Sequence, residues 1–332
     1  MVFAAASLAP SSVPASESHR RNRRAGVAAT LVSAPFLPAL AESFRLTHEN
    51  GLQSYVPMVP LVAAYIGWKA RAPAPDGGRR GNHGGRDAPD NPPESRSPVA
   101  AGSRRTCDAL VVLAAILTTA AALAFARLAE DPALAAALRV LAWITLLAAA
   151  LASTLGRAGV TRWRLPLLLL LFIAPLPQAV VSACETYLQH GSAACARLLL
   201  EIHGTPVHLD HLTLHLRGMT LWVAPECSGL RSSLVLLLLT VITAGTLLRT
   251  TAARVALIMA VALIAVARNG LRIFVIGTMC AQQGPAALDS FLHRQGGPVF
   301  FALSLAPWAA LVLALHRRET AARRSASVFP RS

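Results

Sequence analysis

The sequence predicts an all-α polytopic membrane protein with about eight transmembrane helices and a small external helix and β-hairpin segment before the sixth. Composition is the first observation behind this prediction, because 54% of the 332 residues are hydrophobic and the mean hydropathy is +0.51. The second observation is that several apolar runs approach the ~20 residues needed to span a bilayer. Continuous runs of this kind form helices in lipid, whereas the strands of a barrel alternate between apolar and polar residues.

The distribution of charge is the third observation. A net charge of +15 would suggest nucleic-acid binding in a soluble protein. In this chain the basic residues cluster in short segments between apolar runs, as the positive-inside rule predicts for cytoplasmic loops. Lys69 is the single lysine among the 31 basic residues, which is typical of coding bias rather than of a recognition surface. We therefore predict contact with the lipid bilayer and no nucleic-acid partner.

The N-terminal part of the chain contains two predicted spans. Residues 1–24 form a basic N-terminus that we expect in the cytoplasm, and residues 25–69 hold spans at 25–40 and 52–68. The first span also fits a cleavable signal peptide, since it follows a charged region and ends in an A-x-A pattern, so retention and cleavage both stay open. Residues 70–106 are rich in Gly, Pro and Arg without periodicity, which predicts a disordered cytoplasmic loop.

Six further spans are predicted in a membrane core at residues 107–316, followed by a basic cytoplasmic tail at 317–332. Their approximate positions are 108–127, 134–155, 165–183, 229–248, 254–276 and 298–316. If the basic turns lie inside, the remaining loops lie outside. The longest of these external segments is 184–228.

The external segment is predicted to fold in two parts. Tyr187 to His203 fits an amphipathic interfacial helix, and the alternation from Val207 to Leu216 fits a small β-hairpin. Three histidines of this hairpin resemble a set of metal ligands. Strand alternation places His208 and His211 on opposite faces, so we predict neither a metal site nor another cofactor.

A polar, cysteine-bearing motif stands at the start of the sixth span. Cys227 is flanked by Glu226 and Ser228, and Gly229 and Arg231 follow. Gly229 allows close backbone approach, while the N-terminus of the helix behind it favours a thiolate. The motif therefore makes Cys227 a candidate nucleophile, with its four neighbours in supporting roles.

The other cysteines have a simpler interpretation. Free cysteine is often a small buried apolar residue, and this suits Cys107, Cys184, Cys195 and Cys280. Pairing of Cys184 with Cys195 stays open, because both belong to the external segment and spacing alone decides nothing.

Charged residues inside the seventh span form a second candidate group. An arginine near a helix centre costs ~2.5–3.5 kcal/mol on insertion scales, so such residues usually face a bundle interior or a polar cavity. Arg268 and Arg272 share one helical face, and Asn269 flanks it. Snorkelling of both arginines to the interface is the alternative. His293 lies in the last external loop, at the same predicted membrane depth as Cys227.

These residue types have a coherent joint chemistry. A cysteine thiolate attacks a peptide carbonyl to form an acyl-enzyme, and a histidine moves the proton that amine departure needs. An arginine stabilises the tetrahedral oxyanion in a site sheltered from bulk water. The group Cys227, Arg272 and His293 therefore predicts acyl transfer.

The sequence resembles the exosortase/archaeosortase family of membrane cysteine transpeptidases over roughly residues 45–316. The resemblance rests on the motif at 226–232, on the N-x-x-R pattern of Asn269 to Arg272, and on His293 before the final helix. It implies that Cys227 is the nucleophile, Arg272 the oxyanion stabiliser and His293 the acid/base, with Arg268 in support. The core at 107–316 would then be catalytic.

The resemblance also implies a substrate class and a location. Its substrates are membrane-anchored proteins that end in a motif such as Pro-Glu-Pro, a transmembrane helix and a basic tail. The enzyme would cleave them at the outer face of a bacterial inner membrane and transfer them to a cell-surface or exopolysaccharide-linked acceptor.

Two other classes of function fit parts of the sequence. A non-enzymatic transporter or scaffold for exopolysaccharide export would use the paired arginines to bind lipid phosphate, with Cys227 dispensable. A membrane glycosyltransferase would need grouped external carboxylates, whereas Asp210 and Asp289 are scattered.

Overall fold

Long helices and one small sheet make up the chain in a computed structural model that describes residues 15–69, 98–216, 219–225, 228–284 and 296–328. The predicted helical class with a small β segment is confirmed. In chain order the elements are α1 (Ala15–Ser33), α2 (Leu37–Asn50), α3 (Met58–Lys69), α4 (Pro98–Leu128), α5 (Pro132–Leu170), α6 (Gln178–Ile202), β1 (Val207–Asp210), β2 (Thr213–Leu216), β3 (Met219–Trp222), α7 (Leu230–Leu247), α8 (Thr251–Gln283) and α9 (Gly297–Val328). Short 3₁₀ turns follow α1 and α5.

The described residues contain fewer candidate membrane spans than the eight predicted for the whole chain. Within the described ranges, six helical stretches are long and apolar enough to cross a membrane, and a bent helix pair raises the number to seven if it counts as one span. The count of eight is therefore not confirmed. The six stretches are Arg20–Glu49, Val111–Leu128, Pro132–Gly156, Leu230–Leu247, Thr251–Gln283 and Gly297–Arg324.

Three predicted segments overlap the ends of these helices. Most of the predicted loop at 70–106 lies outside the described residues, but α4 already begins at Pro98. Likewise α1 begins at Ala15, within the predicted N-terminal segment, and α9 continues to Val328 in the predicted tail.

The second predicted span is a short helix rather than a full crossing. Residues 52–57 form turns, in which the amide of Val56 donates to the Gln53 carbonyl at 3.0 Å. Helix α3 then has 12 residues, which makes it about 18 Å long against a hydrocarbon thickness of about 30 Å.

The fifth predicted span is broken. Gly156, at φ 71°, interrupts α5, and the following helix Gly159–Ile173 meets α6 at an angle of 92°. Prolines at 175 and 177 lie in this corner, where they remove two backbone donors. Helix α6 therefore begins at Gln178, and the predicted interfacial helix from Tyr187 is its second half.

One buried glutamine ties the corner to the turn before α3. Gln53 is buried, and its side-chain amide donates to the Ala174 carbonyl at 3.0 Å while its Oε1 accepts from the Leu176 amide at 3.2 Å. These two hydrogen bonds pair the Ala174 carbonyl and the Leu176 amide, which lie in the corner between two helices.

Loss of these bonds should destabilise the fold. Gln53→Ala is expected to lower the unfolding free energy in detergent by about 2 kcal/mol, because it leaves the partly buried Ala174 carbonyl and Leu176 amide without this partner. Thermal unfolding of the purified protein measures the change. The matched control is Gln178→Ala, since Gln178 is exposed and bonds to Ser182 at 3.5 Å. Equal midpoints for the two variants would contradict this role.

The external segment forms an antiparallel three-stranded meander, one strand more than the predicted hairpin. His208 and His215 are opposite each other on β1 and β2, while His211 occupies the turn between them with φ 51°. Across the described part of the chain, no group of three His, Cys, Asp or Glu residues is placed to hold a metal ion.

The sheet packs against one end of the helical bundle. Its buried Leu214 and Leu216 join Leu200 of α6 and Ile273 of α8 in one apolar cluster. Helix α8 has 33 residues and α7 has 18, which corresponds to about 50 Å against about 27 Å. The last turns of α8 therefore extend beyond the start of α7, and we call this the cleft end of the bundle.

Candidate active site

A cleft of about 700 Å³ opens at the cleft end of the bundle. It is formed by the first turn of α7, the extended part of α8, the start of α9, one face of α6 and the turn before α3. Its polar lining residues are Ser54, Glu185, Ser228, Arg231, Ser232 and Arg272. Its apolar lining includes Leu52, Pro225, Val235, Pro298 and Phe301.

The chain enters α7 through a tight turn that borders the cleft. The Ser228 amide donates to the Pro225 carbonyl at 2.9 Å, and Ser228 itself is buried. Gly229 caps α7 at φ 75°, a conformation that costs an L-residue with a side chain about 1–2 kcal/mol. A Cβ at this glycine would also lie 2.8 Å from the Arg268 Nη2. Glycine is therefore required here both for its conformation and for close packing.

The carbonyl of Gly229 gathers several donors. It accepts the Ser233 amide at 3.1 Å, as the helix requires, and the hydroxyls of Ser232 and Ser233 at 3.0 and 2.8 Å. Arg268 adds its Nη2 from the neighbouring helix at 3.0 Å. The turn at the start of α7 is thus held from both α7 and α8.

The two arginines of α8 occupy different environments. Arg268 is 7% exposed and lies beneath the Gly229 turn, whereas Arg272 is half-buried one turn further along and lines the cleft. Sequence analysis predicted a shared face for both residues, and snorkelling as the alternative. Burial of Arg268 inside the bundle excludes that alternative for this residue.

The residues between the two arginines explain the close packing at this level. Asn269 is buried, and its Oδ1 would lie 3.4 Å from a Cβ at Gly229. Gly270 faces α6, where an added Cβ would lie 2.6 Å from the Sγ of Cys195. The Asn-Gly pair therefore lets α8 approach α7 on one side and α6 on the other.

A comparison with known families fits this arrangement. The profile of the transmembrane exosortase family matches residues 47–310, which is more than half of the chain. The chain belongs to the transmembrane exosortase family. No curated protein and no solved structure matches it. With six apolar helices of spanning length among the described residues, this exosortase is an integral membrane protein of a transpeptidase family.

Three of the predicted site residues lie outside the described residues of the exosortase. They are Glu226, Cys227 and His293. Residues 226 and 227 connect Pro225 to Ser228, both of which line the cleft. His293 precedes Gly297 and Pro298, which line the cleft at the start of α9. The supporting residues Ser228, Gly229 and Arg231 line the cleft directly, whereas Arg268 and Asn269 lie beneath it.

Sequence reasoning missed two groups in the cleft of the exosortase. Glu185 of α6 lines it because the corner before α6 turns that helix back over the bundle. The prolines at 175 and 177 were the available signal. Ser54 lines the cleft from the turn before α3, where a Cβ at Gly51 would lie 2.8 Å from the Arg231 Nη2.

The possible disulfide in the external segment does not form. Cys184 and Cys195 are both free and lie on α6. Eleven residues along one helix separate them by about 16 Å, beyond the reach of a disulfide bond.

Proposed function

We propose that this exosortase is a membrane cysteine peptidase/transpeptidase in which Cys227 is the nucleophile, Arg272 stabilises the oxyanion and His293 is the acid/base. The observation that carries the proposal is the cleft, which Pro225 and Ser228 border on either side of residues 226–227 and which Arg272 lines. Its volume of about 700 Å³ is in the range of clefts that hold small ligands or peptide segments.

The proposed reaction has two halves. The Cys227 thiolate attacks the carbonyl carbon of the scissile peptide, and the carbonyl oxygen becomes an oxyanion that Arg272 stabilises. His293 protonates the departing amine, the C–N bond breaks, and a thioester remains on Cys227. An acceptor nucleophile then loses its proton to His293 and attacks the thioester, which releases the thiolate and the product.

The substrates we propose are membrane proteins that end in a short motif, a transmembrane helix and a basic tail. A groove of about 430 Å³ between α8 and α9 supports this substrate class. Leu271 and Phe300 line the groove, while their neighbours Arg272 and Phe301 line the cleft. A substrate helix in this groove would hold its motif beside the cleft and raise its effective concentration there.

We also propose an orientation and a destination. The cleft would face the periplasm from the inner membrane of a bacterium, because the basic turns then lie in the cytoplasm. The acceptor would be a cell-surface or exopolysaccharide-linked group.

Trapping of the acyl-enzyme tests the proposal. The purified exosortase is incubated in lipid with a substrate from the same genome that carries the motif, helix and basic tail. We expect a substrate fragment attached to Cys227 that hydroxylamine releases, since it is a thioester, and we expect none on Cys227→Ala. Substrate cleavage without any adduct on Cys227, or processing by Cys227→Ala, would refute this mechanism. Absence of both adduct and cleavage would favour the transporter or scaffold.

A further inference from the structure

Arg268 is a buried cation without a carboxylate partner among the described residues. None of the ion pairs found there includes it, and its Nη1 is buried without a hydrogen-bond partner in this part of the chain. Burial of a charge inside a membrane-spanning helix is costly unless the charge is compensated. A residue retained under these conditions usually serves the chemistry of the site rather than stability alone.

The contacts of Arg268 point to the turn that follows Cys227. Its Nη2 donates to the Gly229 carbonyl at 3.0 Å and to the Ser233 hydroxyl at 3.2 Å. These two bonds connect α8 to the first turn of α7. Gly229 is two residues from Cys227 in the chain, so Arg268 holds the turn that follows the cysteine directly in sequence.

We propose that Arg268 is a positioning residue that holds the Gly229 turn behind the nucleophile and supplies the buried positive charge that keeps Cys227 as a thiolate. This inference rests on the proposed function, because it takes Cys227 as the nucleophile. Arg268 therefore keeps a positive charge beside the Gly229 turn that no ion pair among the described residues neutralises.

Other charges around the cleft are placed differently. Arg231 of α7 is exposed, whereas Arg272 of α8 and Glu185 of α6 are half-buried. The described part of α9 adds no charged residue to the cleft lining. Solvent screens exposed charges, whereas a buried one acts through a lower effective dielectric. Arg268 therefore dominates the field at the start of α7, together with the N-terminus of that helix.

The chain offers a matched control at the opposite end of α7. Arg254, also on α8, is half-buried and donates to the carbonyls of Leu248 at 2.8 Å and Ala244 at 3.2 Å. It thus makes the same kind of contact between the two helices, but 14 residues and about 21 Å away from Arg268.

The experiment measures the pH dependence of Cys227 alkylation in the full chain, with peptide-resolved mass spectrometry to separate Cys227 from the other cysteines. Arg268→Gln should raise the midpoint by about one pH unit, because it removes the buried positive charge to which we attribute the stability of the thiolate. Arg254→Gln should lower the thermal midpoint without any shift in the alkylation profile. An unchanged profile in Arg268→Gln would overturn the proposal.

Arg268→Lys separates charge from position. Lysine keeps the charge but lacks the planar fork, so we expect an alkylation midpoint close to wild type and a clear loss of substrate processing. If Arg268→Gln does not accumulate in the membrane, Arg268→Lys becomes the deciding variant. A shifted alkylation midpoint in Arg268→Lys would then count against the proposed role of the charge. Thioester formation by the wild type, measured in parallel, tests the proposed function independently. A wild-type thioester with an unshifted Arg268→Gln profile would refute the inference alone.

Discussion

Cys227→Ala is expected to abolish substrate processing while the protein still accumulates in the membrane. The alanine side chain cannot form the thioester, and loss of a nucleophile that acts as part of a catalytic unit lowers kcat by about 10⁴-fold or more. Cys227→Ser should be almost as inactive, because a hydroxyl is far less ionised than a thiol in the same position. The measurement is the fraction of a tagged substrate that loses its C-terminal helix.

Cys184→Ala is the matched control for this experiment. Cys184 is a free cysteine on α6 beside Glu185, which lines the cleft. We expect this variant to process substrate at a rate close to wild type. Processing by Cys227→Ser at the wild-type rate would favour the transporter or scaffold, for which the thiol is dispensable.

Arg272→Ala should produce the second largest effect. Removal of one oxyanion donor typically costs about 10²–10³-fold in kcat, and Arg272 is the arginine of α8 that lines the cleft. Arg272→Lys should recover part of the loss, since lysine keeps the charge without the bidentate geometry. Initial rates of cleavage at several substrate concentrations separate kcat from KM.

Arg197→Ala is the control for general loss of positive charge near the cleft end. Arg197 is an exposed residue of α6 that pairs with Glu201 at 3.1 Å. Its loss should leave kcat within about twofold of wild type, since surface ion pairs contribute little. A loss confined to KM in Arg272→Ala would mean that this arginine binds substrate and does not stabilise the oxyanion.

The class of the protein and most of its helices were predictable from local sequence. Apolar runs of spanning length require helices in lipid, and five of the predicted spans in the core correspond to long described helices. The position of a polar site at the start of α7 was predictable as well, because the small and polar residues around Gly229 contrast with the apolar run that follows them. These features depend on residues close together in the chain.

Other features depended on contacts between distant parts of the chain. Helix α3 begins only at Met58, since the turn before it bonds through Gln53 to the corner at Ala174. The direction of α6 follows from a 92° bend and from close packing at Gly270. Neither the bend angle nor the packing partner is encoded by apolar periodicity, so sequence analysis placed a straight span there.

The two arginines of α8 show most clearly which features local sequence determines and which depend on tertiary packing. Their four-residue spacing determines that they lie on one helical face, and the surrounding apolar run determines that this face is in a membrane-spanning helix. Only the packing of α7 against α8 decides that Arg268 lies under the Gly229 turn while Arg272 reaches the cleft. The physical reason is that α7 starts beside Arg268 and covers it, whereas α8 continues past that point and leaves the next turn open.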